Sequence, residues 1–129
     1  MSDRAHTDPE TTATLAAARR FLDAFGRHDA DGVMAAMVDD CVFENTWPAP
    51  DGERHVGQVA VRRFWEQFFR ENPSAAFETE EIFAAGPRCV VRWVYRWRNA
   101  DGSAGHVRGV DVLRVREGKV VEKLSYVKG

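Results

Sequence analysis

The stretch Val91-Arg92-Trp93-Val94-Tyr95-Arg96-Trp97-Arg98-Asn99-Ala100-Asp101-Gly102-Ser103 decides the fold. Bulky and charged side chains alternate along it with a period of two, the pattern of a half-buried strand. It then runs into a turn whose glycine supplies the positive φ of a type I turn plus bulge. Val115-Arg116-Glu117-Gly118 repeats the signal, so Arg88–Gly129 reads as three long antiparallel strands. The turns set the register. Trp97, Tyr95, Trp93 and Val91 fall opposite Gly105, Val107, Gly109 and Asp111, while Asp111 falls opposite Lys123 and Gly109 opposite Ser125. One sheet face then carries Trp93, Tyr95, Trp97, Leu113, Val121 and Val127, with Asp111, Lys123 and Ser125 among them. Charges set among aromatics point to a pocket rather than a plain core. Gly105 and Gly109 sit inside a strand at a cost in stability, and the facing rings of Trp97 and Trp93 supply a reason: room for a flat, apolar ligand.

Upstream, helices come first. Met1–Glu10 is polar and reads as a disordered lead-in. Thr11 or Thr12 caps a first helix to about Phe25, with Leu15, Ala18, Phe21, Leu22 and Phe25 on its apolar face. Asp29 or Asp31 caps a short second helix through Val38, and Asp39-Asp40 marks a loop before a strand over Cys41–Trp47. In that strand Cys41, Phe43, Asn45 and Trp47 share one face. Pro48–Glu53 is a loop long enough to cover a cavity mouth. A third helix follows Gly57 to about Arg70, where Val61, Phe64, Trp65 and Phe68 repeat at helical spacing. Ala76–Ala85 is a further strand. Helices early and strands late argue an α+β domain over residues 11–129, its three helices packed on one face of a curved antiparallel sheet to make a cone-shaped, partly open barrel with an internal pocket.

Composition narrows the function classes. A chain of 129 residues with 44% hydrophobic residues supports one domain with a real core. The net charge of −2 gives no basic field for nucleic acid. No apolar run is long enough for a membrane span and the N-terminus has no apolar signal core, so a soluble cytoplasmic setting is expected. Cys41 and Cys89 make no metal spacing and read as buried free thiols. The four histidines, His6, His28, His55 and His106, show no paired spacing, so no metal site is expected. The opposite sheet face, with Arg92, Arg96, Arg114 and Arg116 among Val90, Val94, Val110 and Val112, reads as a homodimer surface.

The order of elements, with Phe25-Gly26-Arg27-His28-Asp29, Asp39-Asp40-Cys41-Val42-Phe43-Glu44-Asn45, Gly57…Phe64-Trp65 and Gly109-Val110-Asp111-Val112-Leu113-Arg114-Val115…Gly118-Lys119, resembles the nuclear transport factor 2-like superfamily. Within it the chain looks like the SnoaL-like branch, near ketosteroid isomerase and limonene epoxide hydrolase. That fold hosts isomerases, cyclases, hydrolases, dehydratases and non-catalytic binders. The resemblance carries over only in part. Where the isomerases place a general-base Asp this chain has Asn45, and where they place an oxyanion-donor Tyr it has Phe21. Their second oxyanion donor, an Asp, matches Asp111. The epoxide hydrolases' Tyr-x-Asn matches Phe43-Glu44-Asn45 without the Tyr, and the last-strand Asp used there and in the cyclases is Ser125.

These residues imply a pocket for a small apolar organic molecule, with no nucleic-acid or membrane partner. Asp111 and Lys123 are the catalytic candidates, and Asn45, Tyr95, Trp93, Trp97, Phe21, Phe43, Trp65, Ser125 and His55 the ligand-binding ones. Two readings stay open. Either Asp111 and Lys123 form an acid/base pair doing cofactor-independent isomerisation, cyclisation, dehydration or water addition, or they form an inert cross-strand ion pair in a non-catalytic binding or assembly module.

Overall fold

The computed structural model describes residues 8–129. Helix α1 spans Pro9–Gly26, α2 Ala30–Ala35 and α3 Gln58–Glu71, while the strands are β1 Met37–Glu44, β2 Arg54–Val56, β3 Ala76–Ala85, β4 Arg88–Arg98, β5 Ala104–Arg116 and β6 Lys119–Val127. The six strands form one open sheet in the order β2-β1-β6-β5-β4-β3. The helices pack on one of its faces. The sheet is mixed, not antiparallel as the sequence implied: β1 runs parallel to β6, setting Phe43 beside Lys123 and Glu44 beside Leu124. A strand arriving from the helical layer enters the sheet in the same direction as the last strand, and no local pattern records that pairing.

The first helix starts earlier than expected. Asp8 caps it by accepting from Thr11 N at 2.6 Å, and Pro9 fills the first turn, where no backbone donor is needed. Thr11 and Thr14 instead pin α1 to the β3–β4 turn: Gly86 N donates to Thr11 Oγ1 at 2.9 Å, and Thr14 Oγ1 donates to Gly86 O at 2.7 Å. The expected lead-in otherwise lies outside the described residues. The short second helix is capped by Asp29, through Gly32 N at 3.0 Å, and ends at Ala35. Asp39 and Asp40 are not a loop but exposed positions of β1, which begins at Met37 and stops at Glu44. Asn45 and Trp47 therefore lie past the strand, and Trp47 is 72% exposed.

The two core clusters meet along α1. Phe21, Phe25, Met34, Met37, Phe43, Trp65 and Phe69 fill one, while Ala18, Cys89, Val91, Trp93 and Leu113 fill the other. Gln58 ties the layers together, its amide nitrogen donating to Met34 O, Met37 O and Val38 O at 3.1, 3.2 and 3.1 Å. His28 stacks flat on Phe69 at 4.7 Å, and its Nε2 lies 2.8 Å from Ala75 O. Both cysteines are buried free thiols. No helix among the described residues is long and apolar enough to cross a membrane.

The β4–β5 hairpin has the expected register at every pair, from Arg98 opposite Ala104 to Val91 opposite Asp111. The β5–β6 hairpin does not. Arg116 pairs with Lys119 around a two-residue turn in which Glu117 and Gly118 both have positive φ, 51° and 79°. A bulge follows between Arg114 and Val115. Asp111 thus lies opposite Ser125, and Lys123 opposite Leu113.

Candidate functional site

Three polar side chains close a ring at the centre of the sheet's inner face. Asp111 projects from β5; Ser125 sits directly across from it on β6, with Lys123 two residues back on the same face. Lys123 Nζ donates to Ser125 Oγ at 2.8 Å, Ser125 Oγ donates to Asp111 Oδ1 at 2.7 Å, and Lys123 Nζ lies 3.2 Å from Asp111 Oδ2. The Lys123 and Asp111 side chains are only 8% and 5% exposed. A lone charge at such depth is very costly, so the pair and the hydroxyl between them hold one another in place. Three rings cover the ammonium, with Phe43, Trp65 and Phe25 centred 4.7, 5.3 and 5.7 Å from Nζ. Their negative faces favour the cation. Phe43 reaches this position because parallel pairing sets it beside Lys123.

Above the ring lies a cavity of about 340 Å³. Its walls include Phe21, Phe43, Asn45, Trp65, Trp93, Tyr95 and Trp97, and Asp111, Lys123 and Ser125 are among the lining residues. A volume of this size accepts a small organic molecule. The space beside the two strand glycines is taken by the indoles themselves. A Cβ on Gly105 would come 2.5 Å from the Trp97 indole, and one on Gly109 would come 2.5 Å from the Trp93 ring and 2.3 Å from Tyr126 O. The indoles lie flat against the backbone because those two positions carry no side chain. Burial pushes the Tyr95 hydroxyl up from its ordinary value, which keeps it a neutral donor. Asn45 spends its Oδ1 on Thr46 N at 2.8 Å, so what it still offers a ligand is its amide N–H₂.

His55 is the exception among the candidates. It lies on β2 opposite Phe43 and lines a neighbouring groove rather than this cavity, although Asn45, Trp47, Phe64 and Phe68 line both. Its ring stacks against Phe43 at 5.9 Å, and Nε2 stands 3.9 Å from Glu53, too far for a hydrogen bond. The short pairing of β2 with β1, which the sequence pattern did not show, sets it there. Sequence reasoning also passed over Phe77 as a wall residue. Phe77 stacks on Tyr95 at 4.6 Å with ring planes 9° apart, and Phe68 meets Tyr95 at 6.0 Å. Pairing of Phe77 with Tyr95 across β3 and β4 was the available signal. No group of three or more His, Cys, Asp or Glu side chains among the described residues is placed to hold a metal ion.

No curated protein matches the chain in sequence. Solved structures do. A nuclear transport factor 2-like protein of unknown function from Mesorhizobium loti is 42% identical, with 95% of this chain and 96% of that one covered and a TM-score of 0.80. A candidate polyketide cyclase from Xanthomonas campestris is 19% identical over 92% of this chain and 93% of that one, with a TM-score of 0.75. A candidate ketosteroid isomerase from Kribbella flavida is 22% identical over 93% and 81%, with a TM-score of 0.74. At these identities the last two speak for the fold alone, an α+β cone. The family model described as "SnoaL-like domain" matches residues 18–123, and the chain belongs to that family.

Proposed function

We propose that the protein binds a small, flat, mainly apolar organic molecule with a carbonyl group and moves a proton on it without a cofactor. The observation that carries this is a carboxylate, an ammonium and a hydroxyl joined at the wall of an aromatic cavity. Asp111 takes a proton from the carbon beside the carbonyl. Lys123 keeps one N–H beyond those given to Ser125 and Asp111, and donates it to the carbonyl oxygen as that oxygen gains charge. Returning the proton to another carbon completes an isomerisation, and elimination of a hydroxyl instead gives a dehydration. The position where the family's isomerases hold their base is Asn45 here, so the base role passes to Asp111, the one carboxylate lining the cavity among the described residues.

The test is exchange of the α-hydrogens of 2-tetralone in deuterium oxide, read by proton NMR. The protein accelerates it, and Asp111→Asn lowers the rate at least ~100-fold, the usual contribution of a general base. Binding without exchange removes the catalytic role. One observation favours that second reading, a non-catalytic binder: Lys123, Ser125 and Asp111 already satisfy one another. Native mass spectrometry of the purified protein then finds a retained ligand and no turnover.

The same reading extends to a homodimer through the outer sheet face. Phe83 and Tyr126 are 51% and 52% exposed there, beside the half-buried Val90 and Val110 that pair with them. Sedimentation equilibrium finds a dimer, and Phe83→Glu returns it to monomer; a monomeric parent chain ends the idea.

A further inference from the structure

The hydroxyl in the polar ring has the surroundings of a nucleophile. In the register the sequence suggested, Ser125 faced Gly109 and had no acid beside it; the observed pairing sets it across from Asp111. Ser125 Oγ donates to Asp111 Oδ1 at 2.7 Å and accepts from Lys123 Nζ at 2.8 Å. A hydroxyl oxygen has two lone pairs, so one remains. Lys123 also holds the other carboxylate oxygen of Asp111, at 3.2 Å. A hydroxyl whose proton points at a base, with that base oriented by a third group, is the arrangement that activates a serine. The ion pair touches directly, so the hydroxyl is not what joins it. Ser125 lines the cavity and is half-buried where Asp111 and Lys123 are buried, which makes it the least covered of the three.

We propose that Ser125 is a nucleophile, and that the site transfers the acyl group of a small, flat, apolar ester to water through an acyl-serine. This rests on the ligand-binding reading above, but not on proton transfer at carbon. Ser125 Oγ attacks the ester carbonyl carbon as its proton passes to Asp111. The carbonyl oxygen takes up the negative charge beside Lys123, whose remaining N–H meets it. Collapse breaks the bond from that carbon to the alcohol oxygen, and the alcohol leaves with the proton from Asp111. Water then adds to the acyl-serine and gives a proton to Asp111. A second collapse releases the acid, and that proton returns to Ser125 Oγ. The sum is ester plus water to acid plus alcohol, with every group of the protein restored. The cavity reaches the surface at Trp47, which is 72% exposed, so water has a route in as the alcohol leaves.

The experiment uses 2-naphthyl acetate, whose released naphthol fluoresces. The protein releases one equivalent per chain in a burst before a slower steady phase, the kinetic mark of an accumulating acyl-enzyme. Intact-mass spectrometry finds one added acetyl group, peptide mapping places it on Ser125, and hydroxylamine removes it, as an ester requires. Ser125→Ala loses both burst and adduct, and Ser125→Cys restores an adduct at that position. Asp111→Asn slows the burst at least ~100-fold. Should the variants fail to fold, the position of the adduct in the unsubstituted chain decides. An adduct confined to Lys123, to the exposed Lys119 or Lys128, or to a cysteine overturns the nucleophile role, as does undiminished release by Ser125→Ala. If no adduct forms while 2-naphthol binds, read by tryptophan fluorescence, the acyl step falls and the cavity stands. If 2-naphthol does not bind either, the ligand-binding reading falls with it.

Discussion

The two faces of one sheet handle charge in opposite ways. On the outer face Arg92 meets Glu81 at 2.8 Å with both side chains about half exposed, at 50% and 53%. On the inner face Lys123 meets Asp111 at the longer distance of 3.2 Å, with exposures of 8% and 5%. The shorter contact is the weaker determinant of stability, because water and salt screen it and either partner solvates well alone. The inner pair has no such refuge. Arg88–Glu122, Arg96–Glu78 and Arg108–Glu80 repeat the outer arrangement. Depth, not distance, separates a site from a surface.

Substitutions at the inner pair give the largest expected effect. Asp111→Ala or Lys123→Ala strands a buried charge and lowers unfolding free energy by about 3–5 kcal/mol, measured by urea denaturation at constant m. The double variant Asp111→Asn/Lys123→Met recovers much of that loss, since no charge is left unpaired. If the single variants are as stable as the parent, the burial argument fails. Next comes Gly109→Ala, which drives a methyl into the Trp93 ring and Tyr126 O and costs about 2–3 kcal/mol. Gly105→Ala costs less, because only the half-buried Trp97 ring must give way. Ser125→Ala removes the hydroxyl that bridges the pair and costs about 1–2 kcal/mol, while raising the sensitivity of any activity to the loss. On the outer face Arg92→Ala leaves the urea midpoint within error of the parent at physiological salt; a large drop there would erase the contrast.

A chemical test needs no substitution. Burial pushes the Cys89 thiol up to about 11 and raises Cys41 as well. The thiolate is the reactive form, so both stay silent toward a disulfide reagent at pH 8. They react together once urea unfolds the chain. Fast labelling of the native protein would mean that the inner face opens to solvent.

The β5–β6 hairpin shows where sequence reading held and where it slipped. Expecting a three-residue turn at Val115–Gly118 put Asp111 against Lys123. The observed two-residue turn needs positive φ at Glu117, a residue that seldom adopts it, and so gave no advance signal. That change moves the register by one residue and would turn every β6 side chain to the other face. The bulge at Arg114/Val115 moves it by one more and turns them back. Lys123 and Ser125 therefore face the cavity as expected, but with Ser125 in the place assigned to Lys123. The inward set survived because alternation has a period of two, and two slips cancel. Their partners did not survive, because pairing counts every residue. His55 failed for another reason: a three-residue strand is too short to show a period, and its pairing with β1 decided where the ring went.

The amino-acid order alone determined the hairpin-rich α+β plan, the apolar faces of α1 and α3, and the set of aromatic, acidic and basic side chains that share one side of the sheet. These follow from local rules of period, turn and cap, each confined to a few neighbouring residues. Only the folded chain decided that β1 lies parallel to β6 and that Phe43, Trp65 and Phe25 close over Lys123. Those facts join residues as far apart as 25 and 123, and contacts at such separation are fixed by which packing buries the most apolar surface while leaving no charge alone.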